Sequence, residues 1–190
     1  MKKIVIFASG SGTNAENIIR YFLNTPTAKV VSVLTNNSRA KVIERASSFN
    51  VPVYVFSKEE LNDGSLLQKV AKLKPDLIVL AGFLLKVPQN LIVAYPNQII
   101  NIHPALLPKY GGKGMYGMHI HKAVVDNKEK KTGITIHYVN ENYDEGAILF
   151  QSSVALSGDD TPESVAAKIY ELEQKHFPQV IDNLLRELML

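Results

Sequence analysis

Short β-branched runs alternate with amphipathic stretches through the first half of the chain. IVIFAS (4–9) predicts a strand and 14–23 a helix. KVVSVLTN (29–36) predicts a second strand, followed by a helix over 40–49. VPVYVF (51–56) is a short third strand, and 59–73 a third helix. DLIVLAG (76–82) is apolar almost throughout, as in a parallel strand buried on both faces. A short helix at 88–94 then leads into QIINIH (98–103). This β-α-β-α order predicts an α/β fold with a doubly wound, mostly parallel sheet. Ligands of such sheets bind outside the carboxyl ends of the strands. Residues 9–14, 82–86 and 101–103 all fall at those ends.

The second half has a different period. TGITIHYV (132–139) and AILFQSSVAL (147–156) read as antiparallel partners joined by 140–146. A long terminal helix follows, with Thr161 as N-cap and Pro162 at the first helical position, where a missing N–H costs nothing. Val165, Ile169, Leu172, Val180, Leu184 and Leu188 form its apolar stripe, and Pro178 predicts a kink near Gln174. One domain over 1–190 is expected, with an antiparallel C-terminal extension and the long helix appended to the parallel sheet.

QIINIH ends in polar side chains. Residues two apart on an extended backbone project to the same face, roughly 7 Å apart along the strand. Asn101 and His103 therefore share a face. Pro104 forbids a helical His103 and ends the ladder, which delivers both side chains to a strand terminus. An amide donor beside an imidazole suits chemistry at a carbonyl: one group holds a developing oxyanion, the other manages a proton.

Three loops bear on that chemistry. SGSGTN (9–14) joins the first strand to the first helix; its glycines permit a tight turn, and Thr13 with Glu16 predicts a capping box. The N–H groups of the first helical turn make an anion site there. The loop lacks a Walker lysine, residue 15 is Ala, and the second strand ends in Asn36 and Asn37 with no acidic residue, so a nucleoside triphosphatase or nicotinamide enzyme is disfavoured. PKYGGKGMYGM (108–118), with four glycines and two lysines, predicts a mobile surface segment, placed to act as a lid. His119 and His121 follow at a spacing that does not share a helix face, so no metal site is expected. NENYDEG (140–146) is an acidic hairpin loop whose ordinary role is solvated turn chemistry. A carboxylate from it beside His103 would keep the imidazole protonated, with Glu141, Asp144 and Glu145 all candidates. Alternation leaves open whether His137 lines the same site or faces solvent.

Composition narrows the class. A chain of 190 residues that is 46% hydrophobic and 21% charged can bury a substantial core. Its net charge of +3 comes without runs of Lys and Arg interleaved with aromatics, so no nucleic-acid partner is expected. Cysteine is absent, which excludes disulfides and thiolate metal sites and suits a reducing compartment. No apolar stretch approaches the ~20 residues of a membrane span, and the apolar run after Lys3 is too short for a secretory signal. A cytoplasmic protein without membrane partners is expected.

In combination these elements resemble the phosphoribosylglycinamide formyltransferase family. SGSGTN is similar to that family's substrate-phosphate loop, and Leu80-Ala81-Gly82-Phe83 to its V-L-A-G-F strand end. NIHPALLPKY is close to its N-I-H-P-S-L-L-P signature, and Asp144-Glu145-Gly146 resembles its D-x-G element. The resemblance covers nearly the whole chain and implies a Rossmann-like formyltransferase fold. It implies direct transfer of a formyl group from 10-formyltetrahydrofolate, a co-substrate, to the amine of glycinamide ribonucleotide in purine synthesis, with no metal. By the same resemblance Asn101 and His103 would stabilise the oxyanion, and Asp144 would hold His103 charged and take the amine's proton. Gly12, Thr13 and Asn14 would bind the phosphoribosyl part, and Glu173 the ribose. Leu84, Leu85, Lys86 and Val87, together with Asn140, Glu141, Asn142 and Tyr143, would receive the folate. A monomer or homodimer with small-molecule substrates is implied.

Two departures stand out. The family often has Arg-Ile or Lys-Ile after G-F-M, whereas Leu84-Leu85-Lys86-Val87 moves the cation by one residue. The loop after Lys109 is longer and more glycine-rich than the common P-G pattern. The rival activities are a formyl-folate hydrolase, which usually has an extra amino-terminal domain, and an initiator-tRNA formyltransferase, which usually has an extra carboxy-terminal one. A non-catalytic nucleotide-binding module is the third.

Overall fold

The computed structural model describes residues 1–187. Seven strands follow the order β3-β2-β1-β4-β5-β6-β7 in one mostly parallel sheet with an antiparallel end. They are β1 (Lys2–Phe7), β2 (Ala28–Thr35), β3 (Val53–Val55), β4 (Leu77–Leu80), β5 (Ile99–His103), β6 (Lys131–Tyr138) and β7 (Ile148–Ala155). The helices are α1 (Thr13–Leu23), α2 (Val42–Ser47), α3 (Lys58–Asp63), α4 (Ser65–Leu73), α5 (Gln89–Ala94), α6 (Met118–Asp126) and α7 (Pro162–Glu187). No described helix is long and apolar enough to cross a membrane.

The described residues form two compact units, one of residues 1–100 with 178–187, the other of residues 101–177. In the first, β1 pairs in parallel with β2 and β4, and β2 with β3. Ile4, Val5 and Ile6 are wholly buried, as the continuous apolar run of a central parallel strand requires. Phe7, Phe56 and Phe83 add an edge-on aromatic cluster at the strand ends. Burial of each such side chain contributes about 1.5–3 kcal/mol. In the second unit β6 and β7 pair antiparallel, with Ile134 opposite Ser152 and Ile136 opposite Phe150.

Several sequence expectations change. The predicted helix over 59–73 is two helices, because Gly64 takes φ 90, a left-handed conformation that ends α3 and begins α4. α6 replaces the end of the expected loop and the bare His119–His121 pair; its helical pattern is short and its start is masked by glycines. The Thr13–Glu16 capping box does not form: Gly12 occupies the cap position with φ 74, and Glu16 pairs with arginines. On α7, Thr161 does cap the helix, its hydroxyl accepting the Ser164 N–H at 3.2 Å. Val165, Ile169 and Leu184 are buried as the stripe predicts, but Leu172 and Val180 are only half-buried. Phe177, Ile181 and Leu185 carry more of that face. Leu188 lies outside the described residues. α7 continues as one helix through Pro178.

Candidate active site

The end of β5 behaves as strand alternation predicts. Ile100 and Ile102 are buried on one face, while Asn101 and His103 project from the other. Across from them, β6 presents His137, which is only 2% exposed and so lines the site. The hairpin after β6 brings Asp144, in a left-handed conformation with φ 56. Asp144 Oδ2 lies 3.5 Å from His103 Nδ1, and Oδ1 lies 3.6 Å from His137 Nε2. Of the three acidic candidates in the hairpin, the structure thus selects Asp144; Glu141 and Glu145 are exposed.

Backbone groups fix the protons. His103 Nε2 meets the carbonyl of Tyr110 at 2.7 Å; a carbonyl only accepts, so Nε2 carries the hydrogen and donates it. In the neutral ring Nδ1 then holds the lone pair and faces Asp144. His137 Nδ1 meets the Tyr138 carbonyl at 2.8 Å, so its hydrogen sits there and Nε2 accepts from Asn101 Nδ2 at 3.2 Å. The Asn101 amide is thereby oriented, with its second N–H not engaged by His137. Asp144 Oδ2 accepts the Gly112 N–H at 2.9 Å.

These contacts set the electrostatics. Burial pushes the His103 imidazole below its ordinary value; Asp144 and the Tyr110 carbonyl oppose that shift without overcoming it, and His137 adds to it. Asp144 favours a charged ring, as expected of a carboxylate beside it, and desolvation opposes it with the larger effect. Burial works against the Asp144 carboxylate too, yet His137 and His103 in their protonated forms and the Gly112 N–H outweigh it and hold Asp144 below the usual carboxylate range. The site therefore combines a carboxylate held below its ordinary range, an imidazole also pushed below its own, and an oriented amide. Such a set can accept a proton and steady a developing oxyanion.

The strap 110–112 was invisible as a site element in the sequence, since every residue carries a carbonyl and an N–H. Gly111 was the available signal. A Cβ there would stand 2.7 Å from Leu107 Cδ2 and 3.3 Å from Asp144 Cβ, so glycine suits the close approach of strap and hairpin. In the hairpin itself Asn140 Oδ1 accepts the Asn142 N–H at 3.0 Å, a local turn bond, while Glu141, Asn142 and Tyr143 are exposed. Glu173 is half-buried on α7.

In the unit of residues 1–100 the strand ends gather around Ser9. Its hydroxyl donates to Asn36 Oδ1 at 2.6 Å and accepts the Leu84 N–H at 3.0 Å. Gly12 packs against α2 so tightly that a Cβ would meet Val42 at 2.5 Å. Thr13 and Asn14 begin α1. Glu16 is neutralised, pairing with Arg20 at 2.8 Å and with Arg45, whose Nε also donates to the Ser11 carbonyl at 2.9 Å. Hydrogen bonds from Arg20 and Arg45 hold the Glu16 carboxyl below its ordinary pKa. Of the segment 84–87, Leu84 is 55% exposed, Lys86 is exposed and Leu85 half-buried. Val87 is buried beside Phe83 and Leu91 at a narrow apolar recess. Among the described residues no group of three or more His, Asp or Glu is placed to hold a metal.

Comparison with known proteins places this arrangement. The chain matches the formyl transferase family over residues 2–181. It is 35% identical to the phosphoribosylglycinamide formyltransferase of Bacillus subtilis (strain 168), covering 97% of this chain and 95% of that one. The chloroplastic phosphoribosylglycinamide formyltransferase of Arabidopsis thaliana is 40% identical over 98% of this chain. The chain spans 66% of that plant relative and 62% of its Vigna unguiculata counterpart. Among solved structures, the phosphoribosylglycinamide formyltransferase of Bacillus halodurans superposes with a TM-score of 0.87 at 36% identity, covering 97% and 95% of the two chains. Glycinamide ribonucleotide transformylase 1 of Geobacillus kaustophilus does so with 0.89 at 33% identity, covering 97% and 99%.

Proposed function

The chain belongs to the formyl transferase family, and on that premise we propose that it transfers a formyl group from 10-formyltetrahydrofolate to the amine of 5-phosphoribosylglycinamide. In this reading residues 1–190 work as one formyltransferase domain. The observation that carries the chemistry is the fixed proton arrangement of Asn101, His103, His137 and Asp144.

Asn101 directs an amide N–H at the formyl oxygen as the attacking nitrogen bonds to the formyl carbon and the C=O electron pair moves to oxygen. Loss of one such donor costs on the order of 3–4 kcal/mol. His103 Nδ1, neutral at rest, takes a proton from the attacking amine. The resulting imidazolium is held between the Tyr110 carbonyl and the Asp144 carboxylate, both of which favour positive charge. His103 then returns that proton to the departing folate nitrogen as the oxyanion collapses to the product formamide. Asp144 remains ionised and accepts from Nδ1 once that nitrogen is protonated. Neither a metal nor a covalent enzyme intermediate is needed for this sequence.

Gly12, Thr13 and Asn14 bind the phosphate of the phosphoribosyl group through the first-turn N–H groups of α1, and Glu173 contacts the ribose. Pairing of Glu16 with two arginines supports this role, because it removes the repulsion an acidic residue near that helix start would exert. Leu84–Val87 and Asn140–Tyr143 receive the folate. The exposed faces of Leu84 and Tyr143 suit a flat heteroaromatic ring.

The test is to mix the protein with glycinamide ribonucleotide and 10-formyltetrahydrofolate and follow tetrahydrofolate formation, with His103→Ala in parallel. Turnover that depends on the ribonucleotide and disappears in the variant is expected. Folate turnover without ribonucleotide would instead mean a hydrolase, and a folded protein with no turnover would sink the proposal.

A further inference from the structure

Tyr110 holds its carbonyl on His103 while in an unusual backbone conformation. Its φ is 58, a left-handed value that a bulky side chain rarely adopts without outside support. That support comes from the side chain: the phenol donates to Glu129 Oε1 at 2.9 Å. The same carboxylate oxygen accepts Lys109 Nζ, also at 2.9 Å. Glu129 lies in the turn between α6 and β6, two residues before the strand that carries His137. It touches none of the groups assigned to the reaction.

We propose that Glu129 is a positioning residue for the His103–Asp144 pair, acting through the phenol of Tyr110. The proposal rests on the proton-transfer role given to His103 above. Two residues of the anchored strap present backbone groups of opposite polarity: Tyr110 offers a carbonyl to His103, and Gly112 an N–H to Asp144. The carbonyl favours a protonated imidazole and the N–H favours an ionised carboxylate. Fixing the strap therefore fixes the relative proton affinities of both partners. Glu129 grips the strap residue that bears the carbonyl by accepting its phenol hydrogen, and Asn127 also hydrogen-bonds that phenol. The groups facing His103 are Asp144, His137 and the Tyr110 carbonyl; those facing Glu129 are Lys109 and Tyr110.

Tyr110→Phe removes a single oxygen, and Glu129→Ala removes the other end of the same contact. Each is expected to lower kcat on the order of tenfold while KM for both substrates stays within about twofold. The double variant should be no worse than either single one, because both delete one interaction. Glu129→Gln keeps an acceptor for the phenol and should recover most of the loss. Independently of turnover, nitrogen NMR of His103 in the substrate-free protein should show a hydrogen on Nε2. In Tyr110→Phe that preference should weaken, and the ring should titrate at lower pH.

Additive losses in the double variant would overturn the proposal, as would unchanged His103 spectra in Tyr110→Phe. If Glu129→Ala fails to fold, the spectra of Tyr110→Phe decide alone. The NMR readout also separates the two levels of inference. Spectra that respond as expected in a protein without transformylase activity would keep the positioning role and remove the proposed reaction, and the converse result would do the opposite.

Discussion

Asn101 and His137 are joined by a 3.2 Å hydrogen bond from the asparagine amide to Nε2 of the ring, whose other nitrogen is tied to the Tyr138 carbonyl. The histidine therefore serves as an acceptor that turns the Asn101 amide, and in the proposed reaction the second N–H serves the formyl oxygen. Replacing His137 by Phe keeps the ring volume and deletes the acceptor. We expect kcat to fall about tenfold or more, against a loss of ~10²–10³ for Asn101→Ala, with substrate KM values little changed in both. Steady-state kinetics of the two variants would check this. A His137→Phe enzyme with unchanged kcat would mean that the amide is oriented by something else.

Gly111→Ala probes the closeness of strap and hairpin. The new methyl would stand 2.7 Å from Leu107 Cδ2 and 3.3 Å from Asp144 Cβ. Leu107 is itself buried, so part of the adjustment must come from the hairpin, and Asp144 moves away from His103. The expected outcome is a large fall in kcat with a stability loss of only about 1–3 kcal/mol. Urea denaturation beside kinetics would separate the two effects. A variant that loses stability but keeps its kcat would show that Leu107 alone absorbs the methyl.

Acid should destabilise the fold through buried histidines. Burial pushes both His103 and His121 below the ordinary imidazole value, and Nδ1 of His121 is buried without a hydrogen-bond partner among the described residues. The unfolded chain thus takes up these protons at higher pH than the folded one. The stability gained from neutral rings is fully present above about pH 6.5 and is lost as pH falls through the lower folded-state values. The urea midpoint should be lower at about pH 5.5 than at about pH 7.5, and His121→Phe should narrow that difference. An unaltered pH dependence in His121→Phe would assign the effect to other groups.

The catalytic level should show the same sign. In the proposed reaction a neutral His103 accepts the amine proton, so kcat/KM is expected to rise with pH along an acid limb whose midpoint lies below the ordinary histidine value. A midpoint above that value would mean that the protonated ring is the working form. The limb should disappear in a His103 variant with measurable residual activity.

The sequence revealed side-chain pattern better than backbone delivery. Alternation in QIINIH together with Pro104 was enough to put Asn101 and His103 on one face, because strand geometry leaves no other arrangement. The same alternation could not choose a face for His137, since both faces of a strand near a ligand site accept polar residues. The Tyr110 carbonyl and the Gly112 N–H left no trace in residue type. Tyr110 has a left-handed backbone conformation and hydrogen-bonds Glu129, which lies 19 positions away in sequence. The capping box failed for a local reason. Thr13 and Glu16 have the right spacing, but Gly12 takes the cap position and Arg45, from another helix, claims the glutamate. Gly64 broke the third helix where periodicity continued across it, since a period records which face is apolar and not whether φ stays negative.

That glutamate yields a test of the α1 loop. Arg45 spans two elements of the same turn, donating from Nε to the Ser11 carbonyl at 2.9 Å and pairing with Glu16, which Arg20 also holds at 2.8 Å. If the first-turn N–H groups bind a phosphate, an unneutralised Glu16 beside them opposes it, and Arg45 acts by removing that opposition. Arg45→Met should raise KM for the phosphoribosyl substrate severalfold and leave kcat nearly unchanged. Adding Glu16→Gln should recover most of the loss, because an amide needs no counter-charge. The penalty in the single variant should also shrink at high salt, where exposed charges are screened within a Debye length of about 3 Å at 1 M. A KM that ignores both substitutions would place the substrate phosphate elsewhere. A KM that rises in Arg45→Met and rises further in the double variant would make Glu16 a direct contact rather than an obstacle.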